Sequence, residues 1–194
     1  MYKILLILLL VLIVGCYDSS SKYREPSFDL IKKDKNIEIR EYNNNLIIKT
    51  SKSNSNGQGN SSMFRVLANY IFGANSNNEK IPMTAPVITK QSQKKNYEMI
   101  FFILNKNSID ELPIPKDKSV IIDSLNLYKT ISISFGMWAS DNRINKYKKK
   151  LNDYIKENSV EVDSNLMVAQ YNSPWVIPPF RKNELIYKIK YKNI

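Results

Sequence analysis

The order of hydrophobic patterns along the chain repeats once, and this repeat restricts the possible folds more than any other feature. In the first half, alternating residues at 37–40 and an apolar segment at 46–48 predict two strands joined by a polar turn at 43–45. A helical stripe then spans about residues 61–72. A buried strand that is apolar on both faces follows at 97–104.

The second half of the chain gives the same order of elements. Segments at 120–122 and 130–135 predict another strand pair, and a 3.6-residue spacing predicts a helix over about 141–158. Apolar residues at 166–171 and 185–191 supply two closing strands. Because the order repeats after roughly 80 residues, the sequence predicts one α+β domain, a curved antiparallel sheet carrying two helices in two similar halves.

Composition excludes several kinds of chemistry. The sequence has no histidine, which removes histidine-based triads, histidine metal sites and the usual haem-iron ligand. Cys16 is the only cysteine, so no disulfide and no CxxC pair can form within the chain. The common glycine-rich nucleotide-binding motifs are absent, and no paired carboxylate motif stands out. We therefore expect neither an enzyme nor a metal site.

The net charge of the chain is +11, from 29 Lys and Arg against 18 Asp and Glu. Such an excess attracts polyanions and anionic membrane surfaces alike. The positive residues are scattered, and no RNP-like motif or continuous basic arm accompanies them, so no nucleic-acid partner is expected. Lys188, Lys190 and Lys192 alternate with apolar residues and predict the solvated face of an edge strand.

The first sixteen residues are typical of an exported lipoprotein. A basic start at Lys3 precedes an apolar run at 4–14, which as a helix would span only about 16 Å, too short to cross a membrane. The run is interpreted as a signal peptide over residues 1–15. It ends in Ile-Val-Gly-Cys, which resembles a bacterial lipobox and predicts acylation of Cys16, palmitate included. The alternative is an ordinary signal peptide followed by a chance cysteine.

Lipidation of Cys16 predicts where the mature protein resides. Two or three acyl chains hold a protein on a membrane essentially permanently. We therefore expect a lipid-anchored protein on the exported side of a bacterial membrane. Tyr17, rather than an aspartate, follows the cysteine, which favours the outer membrane in a cell with two membranes. Residues 16–27 then form a polar tether, and residues 28–194 form the folded domain.

Several short sequence blocks carry a specific resemblance. The most distinctive of them is KIPMTAPV at residues 80–87. The other blocks stand in order along the chain as IREY (39–42), FRVLANYIFG (64–73), DELP (110–113), FGMW (135–138), YNSPW (171–175) and PFRKNE (179–184). Through these blocks the chain resembles the SOUL/haem-binding protein family over about residues 28–191.

The resemblance implies a distorted antiparallel β-barrel built from two similar halves, each carrying a helix, in agreement with the repeat. It also implies binding of haem or a related tetrapyrrole, as in some members of the family. The chain departs from members that ligate iron through histidine, because it has none. If iron is ligated, tyrosine and methionine are the remaining common ligand types.

In haem-binding relatives the pocket is associated with the first helix and with nearby C-terminal segments. The resemblance carries this association over to Met63, Arg65, Leu67, Ile71, Tyr171, Arg181 and Lys182. A porphyrin needs an apolar slot together with cations for its two propionates. The guanidinium of Arg65 would form a bidentate pair with one propionate, where a lysine would be only a point charge.

Structural interpretations compete with this assignment. Met63, Leu67 and Ile71 stand at i, i+4 and i+8, which is the spacing of any helix face that packs against a core. Residues 181–184 would either cap the barrel end by ion pairing or bind an anion. Trp138 and Trp175 would belong either to the core or to the lining of a pocket.

Two functions remain open from the sequence. The leading hypothesis is a membrane-anchored lipoprotein of the bacterial cell envelope that binds haem or a similar hydrophobic, planar, anionic small molecule. The alternative is an envelope structural or interaction lipoprotein that keeps the fold without binding haem. The missing histidine favours the alternative, whereas Arg65 and Tyr171 in pocket-associated blocks favour binding.

Overall fold

Within residues 23–53, 58–91, 96–163 and 165–190, which the computed structural model describes, the chain forms seven strands and two helices. The elements are β1 (Phe28–Asp34), β2 (Ile37–Ser53), α1 (Gln58–Ile71), β3 (Val87–Gln91), β4 (Asn96–Ile103), β5 (Ile121–Phe135), α2 (Asp141–Glu157), β6 (Met167–Gln170) and β7 (Asn183–Lys188). The predicted signal peptide, Cys16 and the tether up to residue 22 lie outside the described residues.

Six of these strands close into an antiparallel barrel. The order around the ring is β2-β4-β3-β6-β7-β5, and β5 pairs with β2 to complete it. β1 adds to β2 outside the ring. The predicted α+β barrel of two helix-bearing halves is confirmed, because α1 belongs to the first half and α2 to the second.

The predicted turn at 43–45 is wrong, because β2 runs through it without interruption. Asn44 and Asn45 pair with Asn126 and Leu125 of β5, so these asparagines belong to the antiparallel pairing of β2 with β5 and not to a turn. Likewise, the two strands predicted at 120–122 and 130–135 belong to the single long strand β5. The preference of asparagine for turns is a local effect. In both halves, pairing of the long strands β2 and β5 along the barrel wall overrides such local preferences.

The edge-strand interpretation of the C-terminal lysine segment is also wrong. β7 pairs with β6 on one side and with β5 on the other, so it is an interior strand of the closed barrel. Lys188 is the last residue of β7 and Lys190 lies beyond it, while Lys192 lies outside the described residues. Lysines on an exposed edge strand discourage pairing with another chain, but a closed ring of strands has no such edge at β7.

Strand alternation divides the core into an interior and two outer layers. Ile47, Ile100 and Ile186 pack inside the barrel, together with residues from the other strands. Their chain neighbours point outward, where Ile48 and Phe101 pack under α1 and Leu185 packs under α2. β4 is therefore apolar on both faces, because one face fills the barrel and the other is covered by a helix. Among the described residues, neither helix is long and apolar enough to span a membrane.

Candidate functional site: a cleft beside helix α1

A cleft of about 610 Å³ opens between α1, the β3–β4–β6 part of the barrel wall and the loops around residues 138 and 172–181. Its walls combine aromatic and aliphatic side chains with amides and two arginines. The lining residues are Asn60, Ser61, Phe64, Arg65, Ala68, Asn69, Phe72, Val87, Met99, Trp138, Gln170, Asn172, Pro174 and Arg181. A volume of this size lies within the range of about 300–1,000 Å³ that small-molecule sites occupy.

Helix α1 lines the cleft through a second stripe, displaced from the one that packs on the sheet. Phe64, Ala68 and Phe72 stand at i, i+4 and i+8 and face the cleft. Phe64 and Phe72 are exposed although both are large and apolar. These two aromatics were not predicted as site residues, and the signal that could have found them in the sequence is their place outside the main apolar stripe.

The predicted helix residues divide between the cleft and the core. Met63, Leu67 and Ile71 are buried between α1 and the outer face of the barrel, where Ile48 and Phe101 also pack. The structure thus places these three side chains on the core face of the helix. Arg65 instead lies on the exposed face and lines the cleft.

Arg65 brings positive charge to the cleft. Among the described residues it has no salt-bridge partner closer than 4.0 Å. Its guanidinium has five N–H donors in a planar fork, which matches both oxygens of a carboxylate. The arrangement suits an incoming anion.

Arg181 also lines the cleft, but most of its donors hold a loop together. Its Nε donates to the carbonyl of Val176 at 2.9 Å, and its Nη2 donates to the carbonyls of Pro174 at 2.7 Å and Ser173 at 3.2 Å. Its guanidinium also lies 3.7 Å from the ring centroid of Trp138. Arg181 therefore fixes Trp138 and the loop around Pro174 as one wall of the cleft, and adds its charge there.

Tyr171 lies inside the barrel and does not line the cleft. Its hydroxyl donates to Oε2 of Glu184 at 2.7 Å. Burial, reinforced by the charge of Glu184, raises the pKa of Tyr171 well above its usual value near 10. A phenolate at this position is therefore disfavoured, and the hydroxyl is already committed to a carboxylate.

Glu184 is fully buried and is neutralised by Arg40 across the barrel. Nη1 and Nη2 of Arg40 donate to the two carboxylate oxygens, each at 2.8 Å, and Nη1 also donates to the hydroxyl of Tyr42 at 3.1 Å. Nε of Arg40 donates to Glu38 at 2.7 Å. This buried network is fully hydrogen-bonded, which is the condition under which charges persist inside a protein.

The network leaves little space in that part of the barrel. The cavity between Phe28, Tyr42, Phe102 and Tyr171 holds about 10 Å³, enough for one water molecule. Lys182 lies nearby, with its Nζ 3.8 Å from the ring centroid of Tyr171 and 3.4 Å from a carboxylate oxygen of Glu25. Lys182 therefore belongs to the barrel end, where the described cavity is too small for a ligand, whereas the cleft is large enough for one.

The residues present fit a porphyrin held by shape and charge. The cleft has the volume, the aromatic walls and the cations that such a ligand needs. Of the described residues that line it, only Met99 belongs to a type that commonly ligates haem iron. The described residues contain no cluster of three or more metal-ligating His, Cys, Asp or Glu side chains.

A scan against known families matches residues 23–188 to the family described as SOUL heme-binding protein. No curated protein matches the sequence significantly. Solved structures resemble the fold at very low sequence identity. The C-terminal domain of EcmrR has a TM-score of 0.61 at 10% identity, with 79% of this chain and 96% of that chain covered.

Two structures from Listeria innocua give similar values. One, described as an uncharacterized conserved protein, has a TM-score of 0.57 at 6% identity and covers 81% of this chain and 93% of its own. The other, described as a hydrolase, has a TM-score of 0.56 at 6% identity and covers 82% of this chain and 94% of its own. At such identities the likeness shows the fold alone.

Proposed function

Because this chain belongs to the SOUL heme-binding protein family, we propose that it binds haem or another planar, anionic tetrapyrrole in the cleft beside α1. The observation that carries the proposal is the cleft itself, which combines about 610 Å³ of space, aromatic walls and the side chains of Arg65 and Arg181. Apolar side chains and the Arg40–Glu184 network fill the barrel interior, and among the described residues the cleft offers room for a macrocycle.

Each part of the cleft has a physical role in this proposal. Phe64, Phe72 and Trp138 offer faces for stacking against the apolar ring. Arg65 pairs with a propionate at the exposed side of the cleft. A bound haem supplies an iron centre, and the chain holds the macrocycle through packing and ion pairing, without a histidine ligand. In this function the protein binds its ligand and catalyses no reaction.

Titration of the protein with haemin tests this function. We expect the Soret band of haemin to shift and to saturate at micromolar concentration, with one haemin bound per chain. Circular dichroism on the same sample shows that the protein is folded. A linear, non-saturating response from the folded protein would contradict the proposal.

We also propose that the protein is anchored to a bacterial membrane through acyl chains on Cys16. The support is the sequence alone: an apolar run at 4–14 followed by Ile-Val-Gly-Cys. The lipid anchor would keep the cleft on the exported side of the cell envelope.

Replacement of Cys16 by serine tests the anchor. The variant lacks the thiol that receives the lipid, so we expect it to incorporate no labelled palmitate and to leave the membrane fraction. Arg143→Ala, which leaves the N-terminal segment intact, should be labelled like the wild type. Unchanged palmitate incorporation in the Cys16→Ser protein would contradict a lipid anchor at this residue.

A second candidate function is an envelope interaction lipoprotein that keeps this fold without binding haem. Two observations favour it: the sequence has no histidine, and Arg181 already donates to three loop carbonyls. The haemin titration separates the two functions, because only the first predicts saturable binding.

A further inference from the structure

The two tryptophans of the chain lie on adjoining loops at one end of the barrel. Trp138 follows the end of β5, and Trp175 lies in the loop from β6 to β7. These strand ends are neighbours, since Asn183 pairs with Phe135 and with Gln170. Both tryptophans are exposed, Trp138 by 51% and Trp175 by 90%.

Three more large apolar side chains are exposed on the same loops. Together with the tryptophans they form the aromatic rim, which consists of Met137, Trp138, Trp175, Ile177 and Phe180. An exposed cluster of this kind on a soluble domain marks a contact surface. Tryptophan in particular favours the interface between lipid and water, where its ring is buried and its N–H stays hydrated.

Hydrogen bonds hold the two loops of the rim together. The N–H of Met137 donates to the carbonyl of Pro178 at 3.1 Å. Nδ2 of Asn183 donates to the carbonyl of Met137 at 2.9 Å. The Arg181 guanidinium stacks on Trp138 from within the loop. The rim is therefore a preformed surface, held by hydrogen bonds between its loops, whose five apolar side chains are exposed.

The N-terminal segment enters the domain at the same end of the barrel. Glu25 lies 3.4 Å from Nζ of Lys182, which directly precedes β7. Tyr23 lies seven positions after Cys16, and seven such steps along the backbone span at most about 25 Å. A lipid on Cys16 would therefore keep this end of the barrel close to the membrane.

We propose that the aromatic rim inserts into the lipid–water interface of the membrane that carries the lipid on Cys16. The proposal rests on the lipid anchor of the proposed function, and the excess of Lys and Arg over Asp and Glu adds attraction to anionic lipids. Trp138 lines the cleft as well as the rim. The mouth of the cleft therefore opens at the lipid surface, and the hydrophobic, anionic ligand enters it from the membrane rather than from bulk water.

The tryptophans themselves report on this contact. In the full-length protein with Trp138→Phe, Trp175 is the only fluorophore of its type. The protein is reconstituted in vesicles of phosphatidylcholine and phosphatidylglycerol, with bromine at defined depths of the acyl chains. We expect a blue-shifted Trp175 emission, strong quenching by shallow bromines, and weak quenching by aqueous acrylamide.

The matched control places a tryptophan at the other end of the barrel. Ile114 is 74% exposed in the segment that leads into the start of β5. Ile114→Trp, in a chain with Trp138→Phe and Trp175→Phe, should stay open to acrylamide and escape the bromines. Equal acrylamide and bromine quenching of Trp175 and of this control would overturn the proposal.

The quenching experiment also distinguishes contact with lipid from contact with a second copy of the chain. If Trp175 is shielded from acrylamide but not quenched by brominated lipid, and the shielding rises with protein density, a second copy of the chain covers the rim and the lipid proposal is overturned. The membrane contact and the proposed function are tested separately. Trp175 does not line the cleft, so Trp175→Ser should weaken the membrane contact and leave haemin affinity unchanged. Haemin titration and palmitate labelling then report on the proposed function alone.

Discussion

Replacement of Arg40 by methionine is expected to lower the free energy of unfolding by about 3–5 kcal/mol. Methionine keeps an unbranched apolar stem but leaves the carboxylate of Glu184 fully buried without its cation. Among the described residues, the hydroxyl of Tyr171 would remain as its hydrogen-bond donor, and Nζ of Lys182 lies 4.0 Å away. Chemical denaturation followed by circular dichroism measures the loss.

The matched control for this variant is Lys149→Met. Lys149 pairs with Asp153 at 3.0 Å on the exposed face of α2, and its side chain is 80% exposed. Exposed pairs of this kind contribute about 0.5 kcal/mol or less, because water screens both charges. If Arg40→Met costs no more than Lys149→Met, the buried network does not hold the barrel together as described.

Replacement of Arg65 by alanine is expected to weaken haemin binding by about 10- to 100-fold, equivalent to about 1.5–3 kcal/mol. The guanidinium is the exposed cation of the cleft, and its loss leaves a propionate without an ion-pair partner. Soret titrations of the wild type and the variant give the two dissociation constants. Thermal unfolding should change little, because Arg65 is exposed and outside the core clusters.

Arg143→Ala is the control, since it removes the same charge from α2 at a position that does not line the cleft. We expect its haemin affinity to equal that of the wild type. Tyr171→Phe should also leave the haemin spectrum unchanged, because its hydroxyl is bonded to Glu184 inside the barrel. Equal weakening by Arg65→Ala and Arg143→Ala would reduce the effect to net charge and contradict a specific propionate contact.

The barrel and its two helices could be predicted because their signals are local. The continuous apolar segment of β4 indicates a strand covered on both faces, and the stripe of Met63 and Leu67 on α1 reports directly which side of the helix faces a core. The closure of the ring depends on pairings between distant residues, such as Ile37 with Ile133. The turn at 43–45 and the edge strand were therefore predicted wrongly, because a local pattern does not reveal the partner of a strand.

The site was predictable only in part for a related reason. The family blocks pointed to α1 and to residues 171–184, but they did not separate the two faces of the helix or of the strand. Arg65 and Arg181 line the cleft, whereas Tyr171 points into the barrel and bonds to Glu184. The Arg40–Glu184 pair joins residues 144 positions apart, and no local pattern in the sequence marks it.

A parallel titration with haemin and with iron-free protoporphyrin tests most directly whether the cleft holds a porphyrin by shape and charge. Both ligands share the macrocycle and the two propionates, and only one offers a metal. We expect both to saturate at micromolar concentration, with dissociation constants within about tenfold of each other, a difference below about 1.4 kcal/mol. Saturable binding of neither ligand by the folded protein, or binding of haemin alone, would contradict the account.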